Sequence, residues 1–73
     1  MKEYNFTVII QKDKDGRFLA ICPALQGCYT EGRTMAEALE MIEDAIKLSI
    51  EDRLESGETI PEELYSSQLK IAV

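Results

Sequence analysis

Few side chains in this sequence of 73 residues are of types that do chemistry, and each lacks a partner. Asp13 and Asp15 stand two apart and could form a weak carboxylate pair for a metal. Lys12, Lys14 and Arg17 surround them, so a solvated hairpin tip is expected instead. Cys22 and Cys28 are separated by five residues that include a Pro and a Gly. A disulfide between them is sterically feasible, but thiols of cytosolic proteins stay reduced. Two Cys without any His make a poor zinc set, because structural sites take four N or S ligands. No CxxC redox motif is present, and both thiols read as small buried hydrophobes. The lack of His also removes any Ser/Cys–His pair and any imidazole base. Metal-dependent cleavage needs several converging carboxylates, and the expected strands supply only Glu3 and Glu31. Gly27 and Gly32 bracket a strand and do not form a phosphate loop. The expectation is a protein that is not an enzyme and holds no cofactor or metal.

The elements that carry these residues follow from periodicity. Tyr4, Phe6, Val8 and Ile10 alternate with Asn5, Thr7, Ile9 and Gln11, which predicts a strand over 4–11. Asp15-Gly16 is a strong hairpin signal. Phe18, Ala20 and Cys22 then share one face of a returning strand, with Leu19 and Ile21 on the other. Apolar residues on both faces predict a central strand. Pro23 stops the ladder, residues 24–27 connect, and residues 28–31 form a short third strand.

A helix follows, opening at Thr34. Thr34 and Glu37 have the spacing of a capping box, with each side chain accepting from the other's backbone N–H. Gly57 is placed for a left-handed C-terminal cap. Met35, Ala38, Leu39, Ile42, Ala45, Ile46 and Ile50 recur at spacings of three and four and define the expected core stripe. Glu40, Glu43, Asp44, Lys47 and Glu51 occupy the other side, and the four acidic residues are the candidate partner-binding surface. Met41 and Leu48 lie off the stripe and are the candidate oligomer contact. Leu54 also lies off it, expected against the following loop. Past Pro61 a short helical turn is expected, and Leu69, Ile71 and Val73 alternate in a final strand over 68–73.

The order is thus β-β-β-α-β, an α+β antiparallel meander with one long helix across one face. A single helix leaves the other face, with Ile9, Leu19 and Ile21, uncovered. Homo-oligomerisation through that face or through a sheet edge is the physical expectation.

Composition narrows the function classes. With 45% apolar and 30% charged residues, the chain is that of a soluble globular protein and is expected to form a single domain over 1–73. No apolar run approaches the roughly 20 residues of a membrane span. The first residues lack the apolar segment of a secretory signal, so a cytoplasmic location is the default. Eight basic against fourteen acidic residues give a net charge of −6, opposite to the basic footprint of a nucleic-acid binder. The same sign suits a basic protein partner.

The ordered residues Tyr4, Phe6, Val8, Ile10, then Asp15-Gly16, Phe18 and Ala20, then Cys22-Pro23-Ala24-Leu25, Gly27-Cys28, Thr30, Gly32 and Thr34, then Glu37-Ala38-Leu39, Ile42 and Ala45-Ile46 resemble the HicB antitoxin family. The most distinctive portion is P-x-L-x-G-C-x-[ST]-x-G-x-[ST]-x-x-E-A, present in full from Pro23 to Ala38. The resemblance implies a partial ribonuclease-H-like fold without ribonuclease activity. It also implies an antitoxin of a type II toxin–antitoxin module that masks HicA, a small basic mRNA interferase. Many members carry a further DNA-binding domain. The sequence stops at Val73, immediately after the expected last strand, so operator binding is not carried over. The alternative is an orphan homo-oligomeric module with a structural or small-ligand role.

Overall fold

The computed structural model describes residues 2–73. It contains β1 (Ile9–Lys12), β2 (Phe18–Ile21), β3 (Tyr29–Gly32) and α1 (Met35–Glu55), and the three strands form an antiparallel sheet in the order β1-β2-β3. The α+β class and the expected order of three strands followed by one long helix are both present. Ile9 lies opposite Ile21, which lies opposite Tyr29. Gln11, Leu19 and Glu31 form the next row.

Local chemistry explains the connections. The Asp13 carboxylate is consumed by the first hairpin, where its Oδ1 accepts from the N–H groups of Asp15 and Arg17, each at 2.9 Å. Gly16 closes that turn with φ 81°. Between β2 and β3, the N–H of Cys22 donates to Cys28 O at 3.0 Å, that of Leu25 to Cys22 O at 3.2 Å and that of Cys28 to Leu25 O at 3.1 Å. These bonds fold the loop inward and bury Leu25 as deeply as Ile42. Leu25, expected as a connecting residue, is a core residue.

Thr34 caps α1, its Oγ1 accepting from Glu37 N–H at 3.0 Å. The reciprocal bond differs by one position from expectation: Glu37 Oε1 accepts from Arg33 N–H, at 3.3 Å. The far end is a full Schellman cap, with Glu58 N–H donating to Arg53 O at 2.8 Å and Gly57 N–H to Leu54 O at 3.1 Å.

The core consists of Ala20, Cys22, Leu25, Cys28, Ala38 and Ile42, with Phe6, Val8, Ile10, Phe18, Ala45 and Ile46 packed around it. Phe6 and Val8 precede the ladder, so the inward alternation expected over 4–11 persists where the strand pairing does not. α1 packs on β3 and β2. Thr30 Oγ1 donates to Ala38 O at 3.1 Å across that contact. Gly32, buried under the first helical turn, permits this closeness.

Three expectations are corrected. Met35 and Leu39, assigned to the core stripe, are 49% and 42% exposed. Burial on α1 centres on Ala38 and Ile42, and Leu39 is turned about 100° from Ala38, past the side of the helix that faces β2 and β3. The final strand over 68–73 and the turn after Pro61 are not formed within one chain. A strand exists only against a ladder partner. Residues 68–73 have none among the described residues, and Leu69 and Ile71 are 79% and 71% exposed.

Candidate protein-binding surfaces

α1 carries seven of the chain's fourteen acidic residues and only two of its basic ones. At about 100° per residue, Glu40, Asp44 and Glu51 fall within an arc of roughly 40° on the side opposite the buried Ala38 and Ile42. All three are exposed, and none is in a salt bridge among the described residues. Glu43 stands apart on the flank, where Lys47 Nζ lies 3.7 Å from its Oε1. The fold therefore brings three of the four predicted acidic residues into one line and sets Glu43 beside it. An exposed i,i+4 pair such as Glu43–Lys47 contributes about 0.3–0.5 kcal/mol, so its main effect here is to neutralise local charge.

The flank bearing Glu43 borders a groove of ≈ 560 Å³ between residues 2–6 and the second half of α1. Tyr4 and Phe6 form one wall, their rings stacked with centroids 6.3 Å apart. Ile46, Ile50 and Leu54 form the other, and Lys2, Glu43, Lys47 and Glu51 supply the rim. Lys2 Nζ lies 5.2 Å from the Tyr4 ring centroid, a cation–π geometry that holds this wall to the rim. Sequence reasoning missed the groove. Its signal was the i,i+4 series Ile46, Ile50 and Leu54, which extends the apolar arc to one side.

Met41 and Leu48 lie on the opposite flank, 45% and 65% exposed. Leu48 borders a shallow hollow with Ala45, Cys28 and Tyr29. The outer sheet face presents Ile9, Leu19, Ile21 and Tyr29, and no element covers it among the described residues. Arg17 and Glu31 approach to 3.9 Å at its border.

The chemical groups behave as structural ones. Asp13 serves its turn, and among the described residues no three His, Cys, Asp or Glu side chains cluster as metal ligands would. Cys22 and Cys28 are free and buried. Burial pushes both thiols above their usual pKa. The N–H groups of Leu25 and Ala24 partly offset this at Cys22, and the neighbouring Cys22 adds to it at Cys28. Such thiols are poor nucleophiles. No helix among the described residues is long and apolar enough to cross a membrane.

The chain is 42% identical over 71 residues to a UPF0150 protein of Synechocystis, spanning 96% of this chain and 90% of that one. A UPF0150 protein of Thermoplasma acidophilum is 47% identical over 57 residues, 78% of this chain and 83% of the relative. One from Archaeoglobus fulgidus is 37% identical over 58 residues, covering 77% and 84%. No solved structure gives a significant match. The family profile described as "HicB_like antitoxin of bacterial toxin-antitoxin system" matches residues 6–71, which takes in all three strands, α1 and both flanks of the helix. With nine-tenths of its length inside that profile, the chain belongs to the HicB-like antitoxins.

Proposed function

We propose that this protein is the antitoxin of a type II module and neutralises a small, basic, HicA-type mRNA interferase by covering its catalytic groups and RNA groove. The family match over residues 6–71 carries the reading. The charge distribution supports it: an acidic ridge of Glu40, Asp44 and Glu51 on a rigid, doubly capped helix attracts a basic surface and accelerates docking. Glu43, although partly neutralised by Lys47, adds to the rim facing the partner. Masking requires no catalytic residue in the inhibitor, so the protein acts without enzymatic activity and without binding nucleic acid itself. It works in the cytoplasm as one domain over 1–73, with a partial ribonuclease-H-like fold.

The test is co-expression with the small basic protein encoded next to it. Growth arrest by that protein should be relieved, and a Glu40→Lys/Asp44→Lys/Glu51→Lys variant should bind it at least tenfold more slowly at low salt, with a flatter salt dependence. Unchanged association at every salt concentration would reject the acidic ridge as the contact. Failure of rescue would reject the antitoxin role. Pure protein incubated with RNA and Mg²⁺ or Mn²⁺ should leave the RNA intact.

The uncovered sheet face favours one addition: the protein works as a homo-oligomer. A row such as Ile9–Ile21–Tyr29 is an apolar surface with no covering layer among the described residues. In the orphan reading this assembly is itself the function, and a stable oligomer that ignores every basic partner would select it. The Met41–Leu48 flank is a second candidate contact in such an assembly.

A further inference from the structure

We infer that two copies of this chain exchange residues 68–73, each segment pairing as a fourth strand along the free edge of β1 in the other copy. The inference rests on the homo-oligomeric reading above and specifies its contact.

Three observations converge on β1. The first is its open edge. Asp13 N–H donates to Arg17 O at 2.9 Å in register with the β1–β2 ladder. Alternation by two then turns the N–H and C=O of Ile9 and Gln11 toward β2 and those of Val8 and Ile10 outward. No backbone bond from another segment reaches Val8 or Ile10 among the described residues. Such an edge is a template for a strand.

The second is the side of the fold that the three strands leave unfilled. α1 sits over β2 and β3, so its flank toward β1 keeps Leu39 exposed and opens the groove walled by Phe6, Ile46 and Ile50. A strand added beyond β1 lies beneath that flank, where one of its two alternating sets of side chains points inward.

The third is a strand without a place. Leu69, Ile71 and Val73 form an apolar alternating set, and all three are exposed in the single chain. Thr7, two residues before β1, holds the root of this segment, its N–H and Oγ1 donating to Glu63 Oε2 at 2.6 and 2.9 Å. Residues 65–68 then leave an open cleft between themselves and residues 7–10. The radius of gyration is 13.9 Å, against about 11 Å for a compact chain of this length. Among the described residues each copy therefore has a vacant edge and a strand-patterned segment without a ladder partner. Reciprocal exchange about a two-fold axis satisfies both with one self-complementary contact.

Light scattering on the full chain at micromolar concentration tests this, with Ile71→Asp as the variant, at a position exposed in the single chain. The wild type is expected at twice the 8.3 kDa of one chain. The variant should halve that mass and keep its helical circular dichroism. In a mixture of isotope-labelled and unlabelled wild type, cross-chain nuclear Overhauser contacts should join the Leu69 and Ile71 methyls to the Val8 and Ile10 amides. A monomeric wild type would refute the exchange and the oligomer together. A dimer that survives Ile71→Asp, or whose contacts from residues 69–71 all lie within one chain, would refute the exchange and leave the oligomer standing.

Discussion

Replacing Gly32 with Ala tests how the helix is seated on the sheet. A Cβ at Gly32 would lie 2.6 Å from Ala38 N, 3.0 Å from Ala38 Cα and 3.1 Å from the Glu37 carbonyl carbon. Optimal carbon contacts are about 3.5–4.0 Å. The opposing atoms are backbone in a capped helical turn and cannot rotate away, so the helix must rise from β3 by roughly 1 Å. Overpacking of this kind costs about 1–3 kcal/mol. The same displacement stretches the bond from Thr30 Oγ1 to Ala38 O, now 3.1 Å, and adds about 1 kcal/mol. A domain of this size has a total stability of about 4–11 kcal/mol, so a loss of about 2–4 kcal/mol is a large share. At roughly 4–8 °C per kcal/mol, Tm should fall by about 8–32 °C. Gly16→Ala is the control. Gly16 has φ 81° and no atom near the added methyl, so only backbone strain of about 1–2 kcal/mol opposes it. Thermal unfolding followed by circular dichroism at 222 nm measures both. If Gly32→Ala melts as high as Gly16→Ala, the close seating of α1 on β3 is not what holds the helix.

Thr34→Ala removes the acceptor for Glu37 N–H and should lower stability by about 1 kcal/mol, read as a Tm decrease of roughly 4–8 °C. Thr34→Asp should restore most of it, because a carboxylate caps equally well. The buried thiols set an alkaline limit. Their folded pKa values lie above the ordinary 9.0, so between the unfolded and folded values the unfolded chain has lost protons that the native state keeps. Their contribution is therefore fully present below about pH 9 and declines as pH rises through that window. Denaturant titrations from pH 8 to 11 should show a steeper loss for the wild type than for Cys22→Ala/Cys28→Ala. Equal slopes would mean that the thiols ionise as easily folded as unfolded. Native Cys22 should also resist alkylation at pH 8, with labelling appearing only on unfolding.

The sequence by itself determined what rests on neighbours a few residues apart. The Asp15-Gly16 hairpin, both caps of α1 and the inward alternation of Phe6, Val8 and Ile10 are such features, since hydrogen bonds and side-chain periodicity within one element depend on local dihedrals. Spacing also placed Glu40, Asp44 and Glu51 on a common side of the helix. Tertiary structure decided which part of a broad apolar arc meets the sheet. Periodicity gives the arc but not the position of β2 and β3 beneath it, so it points Leu39 inward although the fold exposes it, and it does not reveal that Met35, the first residue of α1, is exposed as well. Leu25 shows the converse, because a loop folded back by three backbone bonds buries a residue that no strand or helix period marks. The bonds from Thr7 to Glu63 join residues 56 apart, a separation that no local pattern encodes. Residues 68–73 have the alternation of a strand, yet alternation names only the faces. The partner must come from an edge, and the outer edge of β1 is left unpaired among the described residues.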